Sequence, residues 1–290
     1  MPVALRKPPA DLKTCFRPFY KLIIEDERYV TQTVYEQYGL ERRDPAKVNI
    51  AIRHDVDVAF DRVVTLAEYE HDIGVRASYY FLTDTAPYRL WDSDVPRRLI
   101  ELGHEVGLHS DHRYEEVALG RDGLARLRED VARLSKLCGQ PVRGVVWHGG
   151  KHLPPLNAHN YELYESLPAS ELGLEYHDAA LYQEGTRKWR CKHLLTDGEN
   201  NLRFVPRKMK NVLEKAPTGD DVLFVGHPVM MFRGGARVRP EFPNYPHLSP
   251  PLRRTLALDL KSLLAYNKAY LGDRKVRWVR RLLALVERFS

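Results

Sequence analysis

Cysteine is scarce in this 290-residue chain, and the three present (Cys15, Cys138, Cys191) are widely spaced with no CxxC pair. That excludes a disulfide scaffold and a zinc-finger framework, and isolated thiols in odd number point to a cytoplasmic protein. Long apolar runs are missing too. The opening stretch MPVALRKPPADLKTC has none after its basic residues, so neither a signal peptide nor a transmembrane helix is expected. No internal repeat, no low-complexity segment and no aromatic-interleaved basic stripe is found, which argues against a nucleic-acid partner. The excess of one charge sign is small: 45 Lys+Arg against 39 Asp+Glu leave +6. Much of it lies in the tail 274–290, where Arg274, Lys275, Arg277, Arg280, Arg281 and Arg288 face Glu287 alone.

What is present is an ordinary globular composition, 43% hydrophobic and 29% charged, in a chain long enough to bury a substantial core. Apolar strand-like runs alternate with helical patterns. Val48–Arg53 reads as a strand, and the stretch after it has helical spacing in Val63, Leu66, Ala67 and Ile73, with Gly74 as its stop. VRASYYFL and HEVGLH are β-rich, and SDVPRRLIELG between them has a cap, a first-turn proline and a closing glycine. The segment 120–138 is amphipathic, VRGVVW is the next strand, and a helix is expected around 158–167 before GLEYHDA. LRFVPRK, DVLFVGHP and a long helix near 250–271 continue the series. Such alternation predicts a largely parallel α/β architecture, with a doubly wound sheet and a barrel both compatible with the pattern. Residues 1–45 read as an N-terminal extension packed on a main domain spanning 46–272. The segment 228–250, with five prolines, reads as a long excursion loop.

The polar groups fall in one place along this pattern. The stretch IRHDVDVAFDR (52–62) ends its strand in His54, Asp55 and Asp57, a costly cluster to bury without a compensating partner such as a metal ion. Asp55 and Asp57, then His109 and His112, then His148, Asp178 and His227 all follow the C-terminal end of an expected strand. That is the end where parallel α/β folds collect their chemistry. One such residue would be weak evidence; five strand ends together are strong.

RHDVD, LGHEVGLHSDH and VLFVGHP, in that order, resemble the polysaccharide deacetylase family over roughly residues 48–228. The resemblance implies a distorted, incomplete (β/α) barrel and a divalent metal, commonly zinc, used to remove acetyl groups from N-acetylated sugars. It also implies Asp55 as base, Asp57 and His109 as metal ligands, and His227 as acid. The family's second ligand histidine would fall at 113, which is Arg113 here, with His112 one position early. The family's arginine-proline motif is absent, and VVWHGGKH stands in its place. The third ligand therefore lies between His148 and His112, with His148 favoured because its flanking glycines permit close approach.

The function expected is a metal-dependent hydrolase that deacetylates, or cleaves a related amide on, an amino-sugar-containing saccharide or activated-sugar precursor. A zinc site of one carboxylate and two histidines leaves a position open for water. Trp147 and Asp178 are candidates for substrate contact, Asp178 equally for orienting a histidine or for a surface turn. Each assignment has a plainer rival: Asp55 paired with Arg53 or Arg62, and His54 and His104 packed on the face opposite the site. Two rival functions stand beside the first, a catalytically silent saccharide-binding protein and a metal amidohydrolase acting on a non-sugar substrate. The tail 273–290 reads as a basic amphipathic helix, packed on its own domain or lying on a membrane surface.

Overall fold

Every residue of Val48–Val56 is buried, the mark of a strand covered on both faces at the centre of a parallel sheet. In the computed structural model, which describes residues 7–57, 60–83, 88–149, 158–184, 188–197, 205–232 and 277–284, this strand is the axis of the fold. The strands are β1 (Tyr29–Gln32), β2 (Val48–Val56), β3 (Ser78–Phe81), β4 (Glu105–Ser110), β5 (Gly144–Trp147), β6 (Tyr176–His177), β7 (His193–Thr196) and β8 (Asp221–Gly226). Their order is β6-β5-β4-β3-β2-β8-β7, and β1 also pairs with β2. The pairings β1–β2, β2–β3, β2–β8, β3–β4, β5–β6 and β7–β8 are parallel. Among the described residues β6 and β7, the two ends of this order, are not paired with each other, and the architecture is an incomplete (β/α) barrel.

The connecting helices are α1 (Arg17–Glu25), α2 (Phe60–Asp72), α3 (Val95–Glu101), α4 (His112–Leu119), α5 (Gly123–Cys138), α6 (Val205–Lys215) and α7 (Pro228–Met231). Gly74, expected as a helix stop, and Gly139 follow α2 and α5 at φ 74° and 73°, the left-handed region glycine tolerates. Two local expectations are corrected. The helix expected around 158–167 is a single 3-10 turn, Asn160–Leu163. The run VPRK is the start of α6 rather than a strand, with Pro206 in its first turn, where proline costs no hydrogen bond. The segment 1–45 supplies α1 and β1, and β1 joins the sheet. The proline-rich segment from 233 onward and the helix expected near 250–271 lie outside the described residues.

Two units are distinguished. The first comprises Met1–His109, Asp130–Val146 and Leu167–Val238 and contains most of the sheet. Its side chains obey the period of two. Ala51, Tyr80, Val146, Leu223 and Val225 join Val34, Tyr35, Tyr38, Tyr176 and Leu181 in one buried cluster. The register places Arg53 opposite Ser78 and Val225, and Asp55 opposite Tyr80. Arg53 and Asp55 therefore share the face of Ala51, while Ile50, Ile52 and His54 point the other way. The second unit comprises Ser110–Glu129, Trp147–Ser166 and Arg239–Ser290, and in its described part holds α4, the start of α5 and the 3-10 turn.

Candidate active site

In the first unit, β2 delivers Asp55 and Asp57 at its C-terminal end, β4 delivers His109 and β8 is followed by His227. Asp57 lies between the two histidines. His109 Nε2 is 3.4 Å from its Oδ1, and His227 Nε2 is 3.8 Å from its Oδ2. Asp55 Oδ2 is 3.8 Å from the same His109 nitrogen. His109 is buried, and its Nδ1 meets the Val146 carbonyl at 3.3 Å. A carbonyl only accepts, so Nδ1 carries a proton there and the ring is held with Nε2 facing the carboxylates.

Asp55 carries a bidentate partner from its own strand. Arg53 donates from Nε to Oδ1 at 2.6 Å and from its terminal nitrogen to Oδ2 at 2.8 Å, and both residues are buried. Residues two apart on a strand share a face, which is why this pair forms. Burial pushes the Asp55 carboxyl up, but the charges of Arg53 and His109 and the two bonds from Arg53 hold it below its usual value. Asp178 is also buried, and its charge acts on Arg53.

His227 has a second carboxylate that the sequence reading missed. Asp197, buried just after β7, accepts from the His227 backbone N–H at 2.6 Å and meets its Nδ1 at 2.7 Å. Burial pulls the His227 pKa down, but Asp197, with Asp57 and Asp55, outweighs it and raises the value to about 10. Asp197 obeys the same strand-end rule as the others. Its strand, His193–Thr196, carries little signal, with only Leu194 and Leu195 apolar and only Leu195 buried.

The remaining histidines of β2 and of the turn before β4 face away. His54 Nε2 bonds Glu70 Oε1 at 2.8 Å, and Tyr20 and Tyr79 donate to the same carboxylate at 2.7 and 2.6 Å. His104 uses both ring nitrogens on backbone, with Ala67 O at 2.9 Å and the Ala77 N–H at 3.2 Å.

In the second unit, His112 opens α4 rather than continuing a loop, and its Nδ1 meets Ser110 Oγ at 3.0 Å. His148 follows β5, donates its backbone N–H to Ser110 O at 2.9 Å, and has Asp111 Oδ2 at 3.5 Å from Nδ1. Trp147 is half-buried with its ring edge-on to Tyr161, centroids 5.4 Å apart. Asn160, also unforeseen, joins Asp111 to the His148 carbonyl.

No protein-family model matches the sequence, and no curated protein matches it. Solved structures resemble it, and two serve as examples. One is a family 4 carbohydrate esterase from Bacillus anthracis, with TM-score 0.36, 15% identity, and 71% of this chain and 76% of that chain covered. The other is the Xyl-CE4 domain of a multidomain xylanase from the hindgut metagenome of Trinervitermes trinervoides, with TM-score 0.36, 17% identity, and 64% and 74% covered. Among the described residues no helix is long and apolar enough to cross a membrane.

Proposed function

We propose that this chain is a metal-dependent hydrolase that removes an acetyl group, or cleaves a related amide, on an amino-sugar-containing saccharide. The observation that carries the reading is the convergence of Asp55, Asp57, His109 and the Asp197-backed His227 at the C-terminal strand ends of one parallel sheet. Asp57 and His109 suit a divalent cation, since the carboxylate faces an imidazole nitrogen whose ring is fixed through its other nitrogen. The sequence pattern supplies His148 as the third donor in this reading, with His112 as its rival, and one carboxylate with two imidazoles is a zinc-type set. When bound, such a cation acts as a Lewis acid that polarises a carbonyl and acidifies water.

The chain's own residues do the rest. Asp55 is ionised at neutral pH and accepts a proton from the attacking water, its carboxylate plane fixed by Arg53. The water oxygen bonds the acyl carbon as the C=O π pair moves onto the carbonyl oxygen. His227 then gives its proton to the nitrogen, a poor leaving group without it, as the C–N bond breaks and the carbonyl re-forms. The Asp197 charge keeps that proton on His227 until it is needed.

One observation favours the silent saccharide-binding alternative. The bidentate Arg53–Asp55 pair engages both carboxylate oxygens and can serve the fold alone. Acetate release separates the readings. Purified protein is assayed on N-acetyl sugars, sugar nucleotides and simple amides, with metal content measured beside it for wild type, Asp57→Ala and His109→Ala. Release from N-acetyl sugars that falls by about 10²–10⁴ in Asp55→Asn supports the hydrolase. Saccharide binding without release, unaltered by Asp55→Asn, supports the silent alternative, and full metal content in both ligand variants removes the proposed metal centre.

A further inference from the structure

Asp111 stands at the N-cap of α4, a position where a carboxylate ordinarily accepts backbone N–H bonds from the first turn. Here its side chain makes no capping bond. Its two oxygens are directed elsewhere: Oδ1 accepts from Asn160 Nδ2 at 2.7 Å, and Oδ2 lies 3.5 Å from His148 Nδ1. A residue suited to one task and bonded for another asks what the second task is.

Asn160 sharpens the question. Its side chain is 1% exposed and its amide is used at both ends. The nitrogen donates to Asp111 Oδ1 and to the His148 carbonyl at 2.8 Å, while Oδ1 accepts the Tyr114 N–H at 3.4 Å. The His148 N–H is held in turn by Ser110 O at 2.9 Å. Both backbone polar groups of His148 are thus fixed, and the carboxylate facing its ring is fixed as well. An aspartate at 160 would lose both donors and set a like charge against Asp111. The amide is the side chain of this size that fits all three neighbours.

We propose that Asp111 and Asn160 are positioning residues for His148. Asp111 turns the His148 Nδ1 toward its carboxylate and makes the ring a better donor at Nε2, and Asn160 holds Asp111 and the His148 backbone in register. Ligand histidines are commonly oriented by a carboxylate in this way, and losing that partner weakens metal binding by about 10–100-fold. The inference rests on the reading of His148 as a metal ligand.

The test is a titration of the full-length, metal-stripped protein with Zn²⁺, and with Co²⁺ for its visible spectrum. Asp111→Asn and Asn160→Ala are expected to weaken binding by about 10–100-fold. Asp111→Asn should leave the melting temperature of the metal-free protein unchanged, which separates positioning from general stability. In a His148→Ala background, measured at millimolar Co²⁺, Asp111→Asn should cause no further loss, because its partner is gone. If His148→Ala weakens binding but Asp111→Asn does not, the positioning proposal is overturned while the ligand reading stands. If Asp111→Asn weakens binding equally with and without His148, it acts by another route and the proposal is again overturned. If His148→Ala binds as wild type does, the ligand reading falls and takes this inference with it.

Discussion

At the scale of single residues, the site is governed by which carboxylate faces which ring. His227 lies between Asp197 on its Nδ1 side and Asp57 on its Nε2 side, so it binds a proton far more tightly than a free histidine, with a pKa of about 10. The sign follows directly. A histidine whose folded pKa is raised contributes stability that is fully present below its unfolded value of about 6.5 and is lost as pH rises through about 10. Asp197→Asn keeps the shape of the pair and removes the charge. In metal-free protein it should lower the His227 titration midpoint by about 1–3 pH units, read by NMR of the ring protons. It should also lower turnover more than substrate affinity. An unmoved midpoint would show that Asp197 is not what holds the proton. Asp197 was hidden in the sequence because the strand before it, HLLT, has only two apolar residues and one buried position, whereas His227 was visible behind the fully buried run DVLFVG.

At the scale of one element, β2 shows why a single strand can serve both a site and a core. Arg53 and Asp55 occupy one face, and His54 between them occupies the other, where Glu70 of α2 gathers His54, Tyr20 and Tyr79. The alternation was legible in RHDVD, since a period of two needs only the strand itself. Glu70 was not. It lies 16 residues further on, in a helix whose rotation the sequence leaves undetermined. All four members of this network are buried, so removing the one acceptor leaves three donors unsatisfied. Glu70→Ala should therefore destabilise the fold by about 3–5 kcal/mol in urea or thermal unfolding. Burial raises the Glu70 pKa, but the His54 charge and the bonds to it outweigh burial and lower the net value. The network's stability is thus present above the ordinary glutamate range and is lost as pH falls through the lowered folded value. A variant that unfolds at the wild-type denaturant midpoint would show that the network contributes nothing to β2.

At the scale of the whole molecule, the alternation of strands and helices carried the α/β class, and the strand ends carried four of the residues that meet in the first unit. What the sequence concealed is long-range pairing: that Tyr29–Gln32 adds to β2, and that the sheet order runs β6-β5-β4-β3-β2-β8-β7. Neither is written in local periodicity, because both depend on which distant segment bonds which edge. The same remoteness has a thermodynamic consequence for the proposed metal centre. Its donors, Asp57, His109 and His148, come from positions separated by tens of residues, so an unfolded chain holds no such site and the cation binds only the folded protein. Zn²⁺ at about 100 times its dissociation constant then adds about 2.7 kcal/mol to stability. For a chain of this size that is a rise of roughly 5 °C in melting temperature. The rise should appear on adding Zn²⁺ to chelator-treated protein, reverse with excess chelator, and vanish in Asp57→Ala. An equal rise in Asp57→Ala would mean that the cation binds elsewhere on the chain, and Asp57 would lose its assignment as a ligand.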